Sequence, residues 1–410
     1  MKTPLMIPGS NHSYKIRDIF QTFYPEYLDQ HPVSIEKQKV ANALMNCRTG
    51  GYGYTLIHCE SCGETKAIPC SCGNRNCPSC GKLRQLQWAE DRKAEVIRGI
   101  PYFHLVFTLP HELTPLIYHN QKELLNLFFH AVTDSIIGLC EEKKHFIPGI
   151  LLVLHSFGSN LLLHYHLHVI VTGGGLTRDR SAFHEVTSHK FFLPVKTLAT
   201  IYRGKWLAGL KSLRKSDRLS FHGAALKYRN RYEWKELLDL CYLKEWNIEI
   251  KPLTTSKTCR KDLESIDNAI SYVARYADRT AISDSRIQHY DNDNVTFSYK
   301  SYHGSSYEMK EMTLTGEEFI RRFLMHILPK GFSRIRSAGI LASSVKNKNL
   351  KRIAELRNTE YVSPERKTAG EQMASLFQRD IFYCPHCKKE YTILPRIKKH
   401  PLLSRIIDDS

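Results

Sequence analysis

Three histidines at alternate positions, His164, His166 and His168, stand in the apolar segment 161–171. In an extended chain alternate residues project to one face, so this spacing predicts a row of imidazoles along one side of a strand. His155 lies on a preceding apolar run, across an expected hairpin, where it can reach the same face. One such histidine would read as a satisfied core residue. Three within five residues, with a fourth nearby, make poor core packing unless they bind something, and neutral imidazole is the commonest side-chain metal ligand. His104, on an earlier strand-like run, is a further candidate.

Cysteine spacing points to a different metal chemistry. Cys59-x2-Cys62 is followed by Cys77-x2-Cys80. Two such pairs a short loop apart can offer four thiolates to one tetrahedral zinc, a closed and therefore structural site. Seven of the 12 cysteines fall between Cys47 and Cys80. Cys47, Cys70 and Cys72 are left over, either to complete a second site with a histidine such as His58 or to serve as small buried side chains. Cys384-Pro-His-Cys387 is half a site whose partners the spacing does not name; His386 and His400 are candidates. Tight pairs in a chain whose first residues lack an apolar signal-peptide core read as metal ligands rather than disulfides.

Tyr272-Val-Ala-Arg-Tyr276 supplies candidate nucleophiles. On a helix, i and i+4 put both hydroxyls on one face. Arg275 and Arg279 each follow a tyrosine by three residues, placed to bind a phosphate or to favour a phenolate. An amphipathic helix with two half-buried tyrosines gives the same pattern. With 21 tyrosines in the chain, spacing alone favours that plainer reading.

These residues need elements to hold them. Ile16, Ile19, Phe20 and Phe23 predict a helix over 14–30, and Ser34 is placed to cap a second one reaching about 46. The Gly- and Cys-rich stretch 47–82 can bury little apolar surface and needs a metal staple. A helix over roughly 83–98 leads out of it. Strands are expected at 102–109, 149–155 and 163–172, with a helix at 120–142 between the first two; Gly173-Gly-Gly175 should end the third strand. Residues 184–258 read as a basic insertion with helices near 196–214 and 231–243. A helix over 262–279, a strand over 295–302 and a basic helix over 317–327 follow. Beyond 341 the chain is charged, with little apolar periodicity before Cys384. The expected domains are a helical segment at 1–46, a zinc-binding module at 47–82, an α+β domain at 83–340 carrying the insertion, and a C-terminal region at 341–410 with a small metal-binding motif.

Composition narrows the function. The 410 residues are 42% hydrophobic and 24% charged, enough for a sizeable core. No run of 18 apolar residues occurs, so a membrane span is not expected. Lys plus Arg number 59 against 41 for Asp plus Glu, a net charge of +18. An excess of that size points to a polyanionic partner.

Several blocks resemble one family. His166-Leu167-His168 resembles the His-hydrophobic-His motif of the HUH endonuclease superfamily, which comprises relaxases, rolling-circle replication initiators and rolling-circle transposases. LHSFGSNLLLHYHLHVIVTGGGL at 154–176, the cysteine module, YFHLVFTLPHEL at 102–113, YVARYADRTAIS at 272–283 and FIRRFLMHILPKGFSRIRSAG at 319–339 resemble, in order, the two-tyrosine transposases of the IS91-like insertion-sequence family. Two departures stand out. Tyr165 replaces a proline found in many relatives, and Cys70 stands near a histidine of several relatives, which suggests that Cys70 is a ligand.

The resemblance implies an α+β HUH nuclease fold, a central antiparallel sheet flanked by helices, with an N-terminal zinc-binding module and a basic C-terminal region. It implies His155, His166 and His168 as ligands of a catalytic Mg2+ or Mn2+, with His104 as the alternative third ligand and His164 as an outer partner. An all-imidazole set by itself favours zinc or softer ions. It implies Tyr272 and Tyr276 as nucleophiles aided by Arg275 and Arg279, and DNA contacts from Arg321, Arg322, Arg334 and Arg336. The implied substrate is single-stranded or hairpin insertion-sequence DNA and target DNA, in the bacterial cytoplasm at the nucleoid, with a homodimer as one assembly. A plasmid relaxase or replication initiator shares the chemistry, although the zinc module and the blocks after 317 argue against it. A non-catalytic zinc-containing DNA-binding regulator would leave the histidine row unexplained.

Overall fold

The computed structural model describes residues 14–81, 95–188, 192–253, 280–303, 306–361 and 382–395, together with 85, 88, 91, 92, 371 and 397. The helix expected over 262–279 lies outside the described residues.

The histidine-rich strand sits at the centre of the largest sheet. β3 (Tyr102–Thr108), β4 (Ile147–Phe157) and β5 (Leu163–Leu176) are joined by β7 (Ile248–Pro252) and β11 (Ile335–Gly339) in the order β11-β4-β5-β3-β7, every neighbour antiparallel; β6 (Phe183–Glu185) pairs with the end of β5. Alternation sorts the two faces. Leu167, Val169 and Val171 of β5 lie in register with Phe107, Leu105 and Phe103 of β3 and with Leu154, Leu152 and Ile150 of β4. All nine are buried and form one side of the main core.

Two helices cover that side. The helix Gln121–Lys144, reached through the short helix Thr114–His119, buries Leu124, Leu125, Phe128, Val132, Ile136 and Leu139. It is long and apolar enough to cross a membrane by composition, but its apolar residues are buried in the core. The helix Val195–Lys215 adds Tyr202, Trp206 and Leu210, and Trp234 and Leu237 of Arg231–Leu243 extend the same cluster. Residues 184–258 are therefore no insertion. They supply core aromatics and, in β7, a strand of the main sheet. Their charged, exposed positions mask this in the sequence.

Two other expectations change. Gly173-Gly-Gly175 does not end β5, which runs on to Leu176 and pairs with β6. The glycines permit close approach instead: a Cβ on Gly175 would lie 1.9 Å from the Ile147 carbonyl oxygen. Beyond 341, Lys346–Leu356 forms an amphipathic helix that buries Leu350 and Ile353 with Ile97, Ile100, Tyr102 and Leu176.

A second core lies beside the sheet. Helices α1 (Ile16–Gln30) and α2 (Ile35–Met45), the meander β8 (Ile287–Tyr290), β9 (Asn294–His303) and β10 (Ser306–Thr315), and the helix Gly316–Met325 bury Phe20, Phe23, Leu44, Phe297, Phe319 and Phe323 together. This unit grips the turn between β4 and β5. Three successive carbonyls of that turn each accept from a cationic or imidazole side chain: Ser159 from Arg286, Asn160 from Arg322 Nη1 at 3.1 Å, and Leu161 from His326 Nε2 at 3.0 Å. Leu161 adopts φ 62°, a left-handed conformation that a leucine holds only when its surroundings impose it. The cysteine module forms a third, small sheet in the order β12-β1-β2, from β1 (Tyr54–His58), β2 (Thr65–Pro69) and β12 (Thr392–Ile393).

Two outcomes test this packing. Gly175→Ala should destabilise the chain by about 1–3 kcal/mol, the usual cost of forcing an extra methyl into a filled space, read as a lower urea midpoint. His326 is buried, and burial pushes its pKa down to about 4. Its folded value is depressed, so its contribution to stability is present above the unfolded value near 6.5 and lost as pH falls from there toward about 4. The full change is roughly 3 kcal/mol at 1.36 kcal/mol per pH unit. Unfolding midpoints measured between pH 7 and 4 should fall, and His326→Gln should flatten part of that slope; an unchanged slope would place the titrating group elsewhere.

Candidate metal centre and cysteine clusters

The register of β4 and β5 assembles the histidines. His155 lies directly opposite His166, and His168 is opposite Val153 on one side and Val106 on the other. All three imidazoles therefore leave the face opposite the one that Leu167, Val169 and Val171 bury against the described helices. One nitrogen from each lies within 4.8 Å of the others, close enough to share one ion. His155 is buried and stacks on Phe157 with ring centroids 4.9 Å apart, whereas His166 and His168 are half-buried.

Hydrogen bonds orient two of these rings. His166 Nδ1 lies 3.0 Å from the His164 carbonyl oxygen. A carbonyl can only accept, so Nδ1 carries the proton and Nε2 is left with its lone pair. His168 Nδ1 lies 3.0 Å from His104 Nε2. Burial drives the His104 pKa down to about 4, so that ring is neutral at pH 7. His104 thus stands behind His168 rather than in the cluster. His164 is exposed and contributes its carbonyl to the arrangement. Three convergent imidazoles suit a divalent cation that must also receive a ligand.

Tyr272, Tyr276, Arg275 and Arg279 lie outside the described residues. The four arginines named for DNA contact divide. Arg336 projects to the helix-covered face, 4.0 Å over the Phe129 ring, and donates to Asn126. Arg322 is mostly buried between Glu318 and the Asn160 carbonyl. Arg321 is exposed and paired with Glu318. Arg334 lines a small cavity with Arg75, Ser156 and His326, beside the histidine hairpin. The sequence reading missed Arg286 and His326 as holders of the turn. Their signal was faint: His326 sits inside the block at 319–339, and Arg286 in no recognised motif.

The cysteines separate into two clusters, and this corrects their expected grouping. Cys77 and Cys80 meet Cys47 and Cys72; Cys59 and Cys62 meet Cys384 and Cys387. Cys59, Cys62, Cys77 and Cys80 therefore do not form one site. Spacing could not reveal this, because either partner of a Cys-x2-Cys pair is set by the path of the chain between pairs. Cys70 belongs to neither cluster, and its sulfur lies 3.6 Å from Thr55 Oγ1. His58 hydrogen-bonds Thr65. In the first cluster Cys72 and Cys80 Sγ are 3.6 Å apart, near the roughly 3.8 Å edge of a tetrahedron with Zn–S of about 2.3 Å. Hydrogen bonds among the four thiols split them, pulling Cys47 down to about 7 and Cys80 further while pushing Cys72 and Cys77 up.

Comparison with known proteins places this geometry. Residues 149–349 match a family model described as a putative transposase, and residues 19–109 match one described as a transposase zinc-binding domain. The putative transposase y4qJ of Sinorhizobium fredii is 32% identical over 381 residues, covering 91% of this chain and 92% of that protein. The transposase for insertion sequence element IS801 of Pseudomonas savastanoi pv. phaseolicola is 29% identical over 360 residues, covering 86% and 82%. No solved structure matches the chain. The first match holds the histidine hairpin, the second holds all of the Cys47 cluster, and the relatives align across nearly the whole length: the chain belongs to the IS91-like family of insertion-sequence transposases.

Proposed function

We propose that this transposase cleaves and rejoins single-stranded DNA at insertion-sequence ends through a 5′-phosphotyrosine, in rolling-circle-like transposition. The observation that carries this reading is the convergence of His155, His166 and His168 on one face of an antiparallel sheet, the arrangement expected of an HUH nuclease. A divalent cation held there, Mg2+ or Mn2+ by family resemblance, would draw charge from a scissile phosphate. The His164 carbonyl holds His166 in the tautomer that leaves its Nε2 lone pair free, and His104 fixes the orientation of the His168 ring.

The nucleophiles of this reading are Tyr272 and Tyr276, with Arg275 and Arg279 beside them. A phenolate oxygen attacks phosphorus, the bond to the 3′ oxygen breaks, and the strand is left with a free 3′-hydroxyl and a 5′-phosphotyrosine. The phosphoester bond is conserved, so reversal onto another 3′-hydroxyl needs no nucleotide cofactor. Two tyrosines can hold two strands at once. Arg321 and Arg334 remain as candidate phosphate contacts, while Arg322 and Arg336 are committed to the fold. The Cys47 cluster is read as a structural zinc site.

His166→Ala and His168→Ala should abolish nicking of a labelled single-stranded end oligonucleotide while keeping most DNA affinity, because affinity arises from Lys and Arg contacts that weaken as salt rises. Undiminished nicking in either variant would remove the histidines from the chemistry. His104→Ala should leave the three ligands in place yet weaken Mn2+ binding roughly 10- to 100-fold, the usual effect of losing an outer partner; titration calorimetry reads this directly.

For the tyrosines, each single Phe variant should retain some initial nicking with strand transfer impaired, and the double variant none. Phe keeps the ring, so a loss reports the hydroxyl. Peptide mapping of the trapped protein–DNA adduct decides the matter, and an adduct on neither tyrosine would overturn the mechanism.

A further inference from the structure

We propose that the chain binds a second zinc ion in a split site, Cys59 and Cys62 from the N-terminal module with Cys384 and Cys387 from the far end of the described chain. This metal would clasp residues 383–397 onto β1. The matched zinc-binding domain ends at residue 109, so half of this site lies far outside it.

Sulfur geometry is the first support. Cys59 and Cys387 Sγ are 3.3 Å apart, Cys62 and Cys384 Sγ 3.5 Å, and all four sulfurs fall within 4.8 Å of one another. A disulfide needs about 2.05 Å, whereas the edge of a tetrahedral zinc–thiolate site is about 3.8 Å for Zn–S near 2.3 Å.

The backbone is the second support, and it is independent of the sulfurs. The two Cys-x2-Cys turns have the same fold. Cys59 N–H donates to the Glu64 carbonyl and Gly63 N–H to the Cys59 carbonyl, both at 2.8 Å; Cys384 N–H donates to Lys389 at 2.7 Å and Lys388 N–H to Cys384 at 2.9 Å. The residue after the second cysteine is left-handed in both, Gly63 at φ 76° and Lys388 at φ 59°. In both, the N–H two residues beyond the second cysteine points at its sulfur, from Glu64 to Cys62 and from Lys389 to Cys387. Two turns of one shape, facing each other sulfur to sulfur, are what four-thiolate zinc requires. Lys388 adopts a conformation that costs a lysine free energy, which a metal would offset.

The other contacts that the described residues make to this segment form a short ladder over a small cluster. Among the described residues β12 pairs with β1 at Ile393 with Ile57 and Thr392 with His58, Leu394 N–H donates to the Leu56 carbonyl, Thr392 Oγ1 to Glu60, and Ile397 bridges to Tyr54. The core beneath consists of Cys59, Cys384 and Tyr391. So short a strand and so small a cluster call for a staple.

The proposal extends the zinc reading of the Cys47 cluster and is independent of the cleavage reading. The test is zinc per chain, by plasma mass spectrometry, on the full-length protein purified under reducing conditions. Counted against a His166→Ala/His168→Ala control that empties the histidine centre, wild type should hold two zinc ions at its cysteines, and Cys384→Ser/Cys387→Ser one. Two ions in the double variant, or one in wild type, would overturn the split site. Stepwise chelation of wild type with iodoacetamide labelling avoids dependence on the variant folding. Because Cys62 is exposed, Cys59, Cys62, Cys384 and Cys387 should become labelled together with loss of the first ion, while Cys47, Cys72, Cys77 and Cys80 stay protected. Prompt labelling of Cys384 and Cys387 alone, with one ion retained, would sink the clasp and spare the first site. No zinc at all, with every one of these thiols labelled, would sink the zinc reading as a whole.

Discussion

The register between β4 and β5 is the constraint on which the rest depends. His155 meets His166 only because these strands pair as they do. A slip of one residue would turn every side chain of a strand to the other face, sending histidines into the core and Leu167, Val169 and Val171 into solvent. The apolar face therefore enforces the polar one. Burial of an aliphatic side chain contributes about 1.5–3 kcal/mol, and the nine residues in register on the covered face hold the histidines in place from the opposite side of the sheet.

The turn joining the two strands is controlled from elsewhere. Its three carbonyls are held by Arg286, Arg322 and His326, which come from the meander and the helix that follows it. The same unit packs against α1 and α2 and encloses Cys47 and Cys77. One continuous core thus ties the histidine hairpin to the Cys47 cluster.

Part of the positive charge serves the fold. Arg322, Arg336 and Arg286 spend their donors on backbone carbonyls, an amide and aromatic faces. Guanidinium suits such sites, since its planar fork satisfies several acceptors and stacks on rings. A net charge of +18 therefore overstates the charge free to meet a polyanion, and a motif rich in arginine is not by itself a binding surface.

The sequence by itself determined the parts governed by local periodicity. Alternating histidines and alternating aliphatics specify a two-faced strand, and the helices at 16–30, 121–144, 195–215 and 231–243 were legible within a few residues because an amphipathic stripe is written in consecutive positions. The cysteines were legible as tight pairs for the same reason, each pair being a local unit. What only the tertiary structure decided was which units meet. Cys59 and Cys62 join a pair 322 residues beyond Cys62, β7 enters the main sheet from a stretch that reads as an insertion, and His104 backs His168 across a strand pair. No periodicity encodes such meetings. They follow from burying the apolar faces all at once, and that depends on every element rather than on the residues that meet.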